Sequence, residues 1–245
     1  MRRSGPASDK LVGMSLEVAL ALFEYVVLLL AISLHDAVQA WVAARLGDPT
    51  ARMLGRQSMN PLKHWDLFGT IVFPIFYMVQ SPLIFGWGKP VPVTERNFRR
   101  GSRDEMMVYL SGPVAHLFGA GVCLALLVLL KHVVPGAAGA LPVALALAER
   151  VPGISTLDLP PIFPALLFLY YGILVNLLLL AFNVIPLPSL DGGKVLRHFL
   201  SYNAQRTYDS MGLYLMLAFF FLGFRVIFMI LTPLLGVFNG LLFAL

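Results

Sequence analysis

Long apolar runs dominate the chain, and their lengths carry the first inference. Residues 15–46 have helical character throughout, and about twenty such residues suffice to cross a bilayer's hydrocarbon; Arg45-Leu46-Gly47-Asp48-Pro49 closes the run in a turn. A second run over 67–84 is interrupted by Pro74 and Pro82, and reads either as a kinked span or as a re-entrant element. Further runs cover 104–132, 162–185 and 209–231, the last broken by Thr232-Pro233 ahead of an apolar tail. Residues 85–103 predict an extended loop, residues 133–161 a loop with a loose helix, and a short helix is expected after Asp191-Gly192-Gly193. The pattern predicts an all-α polytopic membrane protein with about five transmembrane helices. It forms a single transmembrane domain over 1–245: a short basic lead over 1–14, a core over 15–202, and a C-terminal helix and tail over 203–245.

Composition agrees. Hydrophobic residues make up 58% of the chain and charged residues 13%, and the mean hydropathy is +0.80, far from a soluble domain. The net charge of +5 could suggest nucleic acid, but the basic residues lie in loops between apolar runs, so they report orientation and no nucleic-acid partner is expected. With five crossings, Arg2, Arg3, Lys10, Lys89, Arg96, Lys194 and their neighbours share one side, which predicts a cytoplasmic N-terminus. The first apolar run is too long for a signal-peptide core and is read as a retained helix. The single cysteine, Cys123, excludes an intrachain disulfide and any cysteine-rich zinc module.

Ionisable residues inside spans are costly, so each is a functional candidate. Glu17, Glu24, His35 and Gln39 fall within roughly 60° of one another on a helix, forming one polar stripe, with Asp36 about 100° round from His35. His35-Asp36-Ala37-Val38-Gln39 has the spacing of H-E-x-x-H, in which two histidines bind zinc and the Glu activates the bound water. Here Asp, one methylene shorter, stands at the base position, and Gln39, a poor zinc ligand, stands at the second imidazole. Arg225, deep in the fifth run, is expected to pair with Glu24 or Glu17, or else to bond to backbone or water. His64 is expected to be solvated, and His132 and His198 to face the interface.

Asn183-Val184-Ile185-Pro186-Leu187-Pro188-Ser189-Leu190-Asp191-Gly192-Gly193 resembles the N-x-x-P-x-P-x-L-D-G-G signature of the site-2 protease family. Leu34-His35-Asp36, Leu46-Gly47-Asp48-Pro49, Asn60-Pro61-Leu62-Lys63-His64, Phe85-Gly86-Trp87-Gly88 and Ser111-Gly112-Pro113 follow that family's order, over roughly residues 30–200. The resemblance implies a site-2-protease-like (peptidase M50-type) core over 15–202. It implies a zinc held by two histidines of the first motif and the Asp of L-D-G-G. Carried onto this chain, His35 and Asp191 match ligands, Asp36 the base and Gln39 the lost ligand; Asn183, with Pro186, Pro188 and Gly192, matches a substrate or partner cleft. His116 stands where the family usually has Asn and is the candidate third ligand.

Three functions compete. The degenerate motif favours a non-proteolytic binding or scaffold subunit of a membrane complex, a pseudoenzyme whose partners are membrane lipids and another transmembrane protein. The alternatives are an active intramembrane zinc metalloprotease using His35, Asp191 and His116, and a lipid or cofactor carrier in which a histidine ligates a pigment. Losing a ligand costs metal occupancy, and a base displaced by about an ångström can cost on the order of a hundredfold. The expected setting is a bacterial inner membrane.

Overall fold

A computed structural model describes residues 6–80, 83–156 and 158–245, with the side chains of these except 6–15, 79–80, 216–217 and 220–224. Among the described residues there are nine α-helices and no β-strand. They are α1 (Pro6–Leu46), α2 (Thr50–Met53), α3 (Phe73–Gln80), α4 (Ser102–Val133), α5 (Ala137–Ala148), α6 (Phe163–Asn183), α7 (Asp191–Arg197), α8 (Tyr202–Ser210) and α9 (Gly212–Ala244).

Four of these are long and apolar enough to cross a membrane: α1 over Leu16–Leu46, α4, α6, and α9 over Arg225–Ala244. The run at 67–84, read as a kinked span or a re-entrant element, holds no helix of spanning length among the described residues. Its apolar helix covers only Leu67–Met78, about 18 Å of rise against a hydrocarbon core of about 30 Å. It opens as a π-helical turn over Leu67–Val72, capped by Asp66, whose carboxylate accepts from the backbone of Phe68 at 3.0 Å and Gly69 at 2.8 Å. The break expected at Thr232-Pro233 is also absent, because α9 continues through Pro233 to Ala244. Proline is tolerated inside an apolar span when neighbouring groups re-satisfy the backbone.

Burial orders the bundle. In α6 78% of the apolar window is buried, against 17% in the α9 window, so α6 is the central post and α9 the periphery. α6 carries Leu166, Tyr170, Tyr171, Ile173 and Leu177 at no measurable exposure, packed with Leu28 of α1 and Leu127 of α4. α5 caps this core with Leu141 and Ala144.

Between α3 and α4 the chain runs as an extended strap over 83–94. The strap lies on the start of the short membrane helix: the Trp87 amide donates to the Gly69 carbonyl at 3.0 Å and the Lys89 amide to the His64 carbonyl at 2.9 Å. It is pinned at both ends by buried carboxylates. Glu24 accepts the Ile84 amide at 2.7 Å, and Asp48 accepts the Thr94 amide at 2.7 Å. The pairing expected between Glu24 and Arg225 is not formed. Glu24 lies 3.6 Å from Arg150, which also bridges Glu17 at 2.7 Å, while Arg225 sits exposed on α9. Arg150 wins because it sits in the α5–α6 connection directly over the start of α1, in a left-handed turn (φ 56°).

Candidate active-site cleft

The C-terminal part of α1's polar stripe, His35 and Gln39, faces a cleft of about 190 Å³ walled by the strap, α4, the end of α6 and the start of α7. His35, Asp36 and Gln39 enter it from α1, His116 from α4, Asn183 from the end of α6, and Asp191 from the first turn of α7. Gly112 lets α4 come this close: a Cβ there would overlap His35 Nε2 and the Gln39 amide nitrogen. Small residues where membrane helices touch serve this purpose generally.

Asp191 is the hub of one half. Its Oδ2 lies 2.8 Å from His35 Nε2 and accepts from the Gln39 amide at 2.7 Å, and Lys194 stands 3.8 Å from its Oδ1. Asp36 is the hub of the other half. Its Oδ1 lies 3.0 Å from His35 Nδ1, and its Oδ2 accepts from Arg56 at 2.8 Å and lies 3.1 Å from His64 Nδ1. His35 thus bridges two carboxylates. His116 is pinned differently: Nδ1 lies 3.1 Å from Asn176 Oδ1, and Asn176 donates back to the Gly172 carbonyl of its own helix. That bond puts the Nδ1 proton toward Asn176, and the ring stacks on His35 with centroids 4.8 Å apart.

Of the residues expected in the cleft, Pro186, Pro188 and Gly192 do not line it. They build the turn between α6 and α7: the Pro186 carbonyl accepts from the Tyr208 hydroxyl at 3.0 Å, and Gly192 packs against the Val184 carbonyl where a Cβ would not fit. Asn183 lines the cleft while its amide back-bonds to the Leu179 carbonyl at 2.9 Å. His64 corrects its expectation of solvation. It is 1% exposed and holds Asp36 on one side and the Ser58 carbonyl, 2.6 Å away, on the other. Arg56 and Asn176 are the residues the sequence reading passed over. Arg56 had registered only as loop charge and Asn176 only as one more position in an apolar run.

A four-coordinate zinc with bonds of about 2 Å spreads its ligands to about 3.3 Å from one another. His35 Nε2 and Asp191 Oδ2 are closer than that and bond to each other directly. Gln39 turns a donor, not a lone pair, toward the same carboxylate. Among the described residues no three His, Cys, Asp or Glu side chains converge as a metal cage. As arranged, His35 and Asp191 bond to each other and Gln39 bonds to Asp191.

Residues 23–223 match the profile of peptidase family M50. The chain belongs to that family. A curated relative, "Putative zinc metalloprotease YwhC" of Bacillus subtilis (strain 168), is 36% identical over 180 residues, which cover 72% of this chain and 69% of the relative. No solved structure matches the chain. The protein is therefore an all-α polytopic membrane protein of the M50 family.

Proposed function

We propose that this M50 protein binds rather than cleaves: a pseudoprotease whose cleft grips a segment of another membrane protein. The observation that carries this reading is the state of Asp36. Three of its roughly four lone-pair sites are engaged, one on Oδ1 by His35 and two on Oδ2 by the Arg56 guanidinium and His64. A general base needs a lone pair within reach of a water, and a charge-paired carboxylate is a weak base besides. Gln39 adds the second loss, since it donates to the carboxylate that the resemblance assigns to metal.

The decisive experiment is metal analysis and a cleavage assay on detergent-purified protein. Zinc and proteolysis are expected only in the double variant Asp36→Glu/Gln39→His. Stoichiometric zinc in the natural chain that disappears in His116→Ala would overturn the reading in favour of an altered-site protease.

Four crossings also reverse the orientation inference. Arg52, Lys63, Arg96, Lys194, Arg197 and Arg206 then share the cleft side, against Arg2, Arg3, Lys10 and Arg150 on the other. The excess favours a cytoplasmic cleft with the N-terminus across the membrane. Impermeant thiol labelling of single cysteines at Arg96 and Arg150 in a Cys123→Ser background is expected to reach only position 150 in intact cells.

A further inference from the structure

Behind Asp36, on the outer face of the same loop, lies a second cavity of about 350 Å³. Its walls are Arg56, Lys63 and Lys89, with Trp65, Leu54 and Leu62 among the apolar residues around them; no carboxylate lines it. Lys63 and Lys89 are exposed and form no ion pair among the described residues. Arg56 is 6% exposed, and although one terminal nitrogen serves Asp36 and the Lys89 carbonyl, its buried Nε has no hydrogen-bond partner among the described residues. A buried guanidinium with an unused donor, flanked by two unpaired ammonium groups, is chemistry suited to an anion with several acceptor oxygens.

The rim says which anion. Leu54 is 62% exposed, Leu62 77% and Trp65 54%, and they continue into the exposed Leu67 and Phe68 of the short membrane helix. The cavity lies in the connection between the end of the α1 span and that helix, the depth at which a chain passes from hydrocarbon to headgroups. Exposed tryptophan and aliphatic side chains there contact acyl chains and glycerol, while lysine and arginine contact phosphate.

We propose that this cradle seats the phosphate of an anionic phospholipid, with Lys63 and Lys89 at its sides and Arg56 at its back. Arg56 is shared between two sites. The guanidinium that would close on the headgroup is the one that holds Asp36 Oδ2, so the cradle and the cleft are faces of one side chain.

The test uses the full detergent-purified chain and native mass spectrometry against an equimolar mixture of phosphatidylglycerol and phosphatidylcholine. The natural chain is expected to retain phosphatidylglycerol at least roughly thirtyfold over phosphatidylcholine, the effect of its two lysine contacts. Lys63→Gln/Lys89→Gln is expected to weaken that retention about thirtyfold, from about fivefold for each basic residue near an anionic surface. Lys63→Arg/Lys89→Arg is expected to keep it, and so is the control Arg96→Gln/Arg99→Gln, which removes two exposed charges elsewhere on the same connection. Equal retention of the two lipids by the natural chain would overturn the proposal without recourse to any variant. So would undiminished retention in the glutamine pair, equal loss in the control pair, or displacement by millimolar inorganic phosphate, which would make free phosphate the occupant.

Discussion

The strap over the cleft is fastened at its two ends by buried carboxylates that solve the same problem in opposite ways. Glu24, with no exposed surface, holds the Ile84 amide and is neutralised by a cation, Arg150, yet Glu24 Oε2, Arg150 Nε and the Tyr171 hydroxyl find no hydrogen-bond partner. Asp48, equally buried, has no cation. It is wrapped by neutral donors: the Thr94 amide at 2.7 Å, the Asn97 side-chain amide at 2.8 Å, and both the amide and the hydroxyl of Thr50. Within a span few backbone donors are free, so a carboxylate must take a charged partner at imperfect geometry. In a loop the chain can be folded around the carboxylate until every lone pair is used. The inner anchor is therefore strong but brittle, and the outer one is cooperative and insensitive to any single contact.

The sharpest way to break this contrast is Glu24→Leu. It leaves Arg150 without its buried partner and is expected to cost about 3–5 kcal/mol in a reversible unfolding titration in mixed micelles, while Glu24→Leu/Arg150→Leu recovers most of the loss. Hydrogen exchange at the Ile84 amide should rise in the single variant. Additive losses in the double variant would show that the pair is not coupled.

Asp48→Asn comes next, at about 1–3 kcal/mol, with faster exchange at Thr94 rather than Ile84. It also has a pH signature. Burial pushes the Asp48 carboxyl up, but the hydrogen bonds from Asn97, Thr50 and the Thr94 backbone outweigh this and hold it below the usual carboxylate range. A depressed native value means stability that is complete above the unfolded value near 3.9 and is lost as pH falls through the native one. The natural chain is expected to lose stability over that acidic window by more than Asp48→Asn does, and parallel pH profiles would refute the anchor's assigned role. The smallest effect is expected of Arg225→Leu. It is exposed on α9 with no ion pair among the described residues, so unfolding should shift by no more than about 0.5 kcal/mol, against the large loss its originally expected pairing with Glu24 would have required.

Those pairings mark where the sequence is legible. Spans read well because length and apolarity alone specify a crossing, and α1, α4 and α6 fall within a few residues of their expected bounds apart from the early start of α1. The short helix at 67–80 and the unbroken α9 do not read well, because a proline's effect depends on which neighbours re-satisfy the freed carbonyls. In the cleft, His35, Asp36 and Gln39 are legible through motif spacing, and Asp191 only through the family resemblance of its L-D-G-G stretch. Arg56 and His64 are not, since loop charges look solvated until tertiary packing brings the loop under a span. Glu24 reads only as a candidate partner for Arg225, because helical periodicity holds no information about which loop supplies its cation.

The contact between strap and short helix has a mechanical consequence. A Cβ at Gly69 would overlap Trp87, and one at Gly86 would overlap the Gly69 carbonyl, so the two backbones touch with no side chain between them. Surfaces that meet backbone to backbone have no rotamer to swing aside. The strap and the start of the 67–80 helix therefore meet as one stiff seam, and no side-chain rotation alone can open a passage between them.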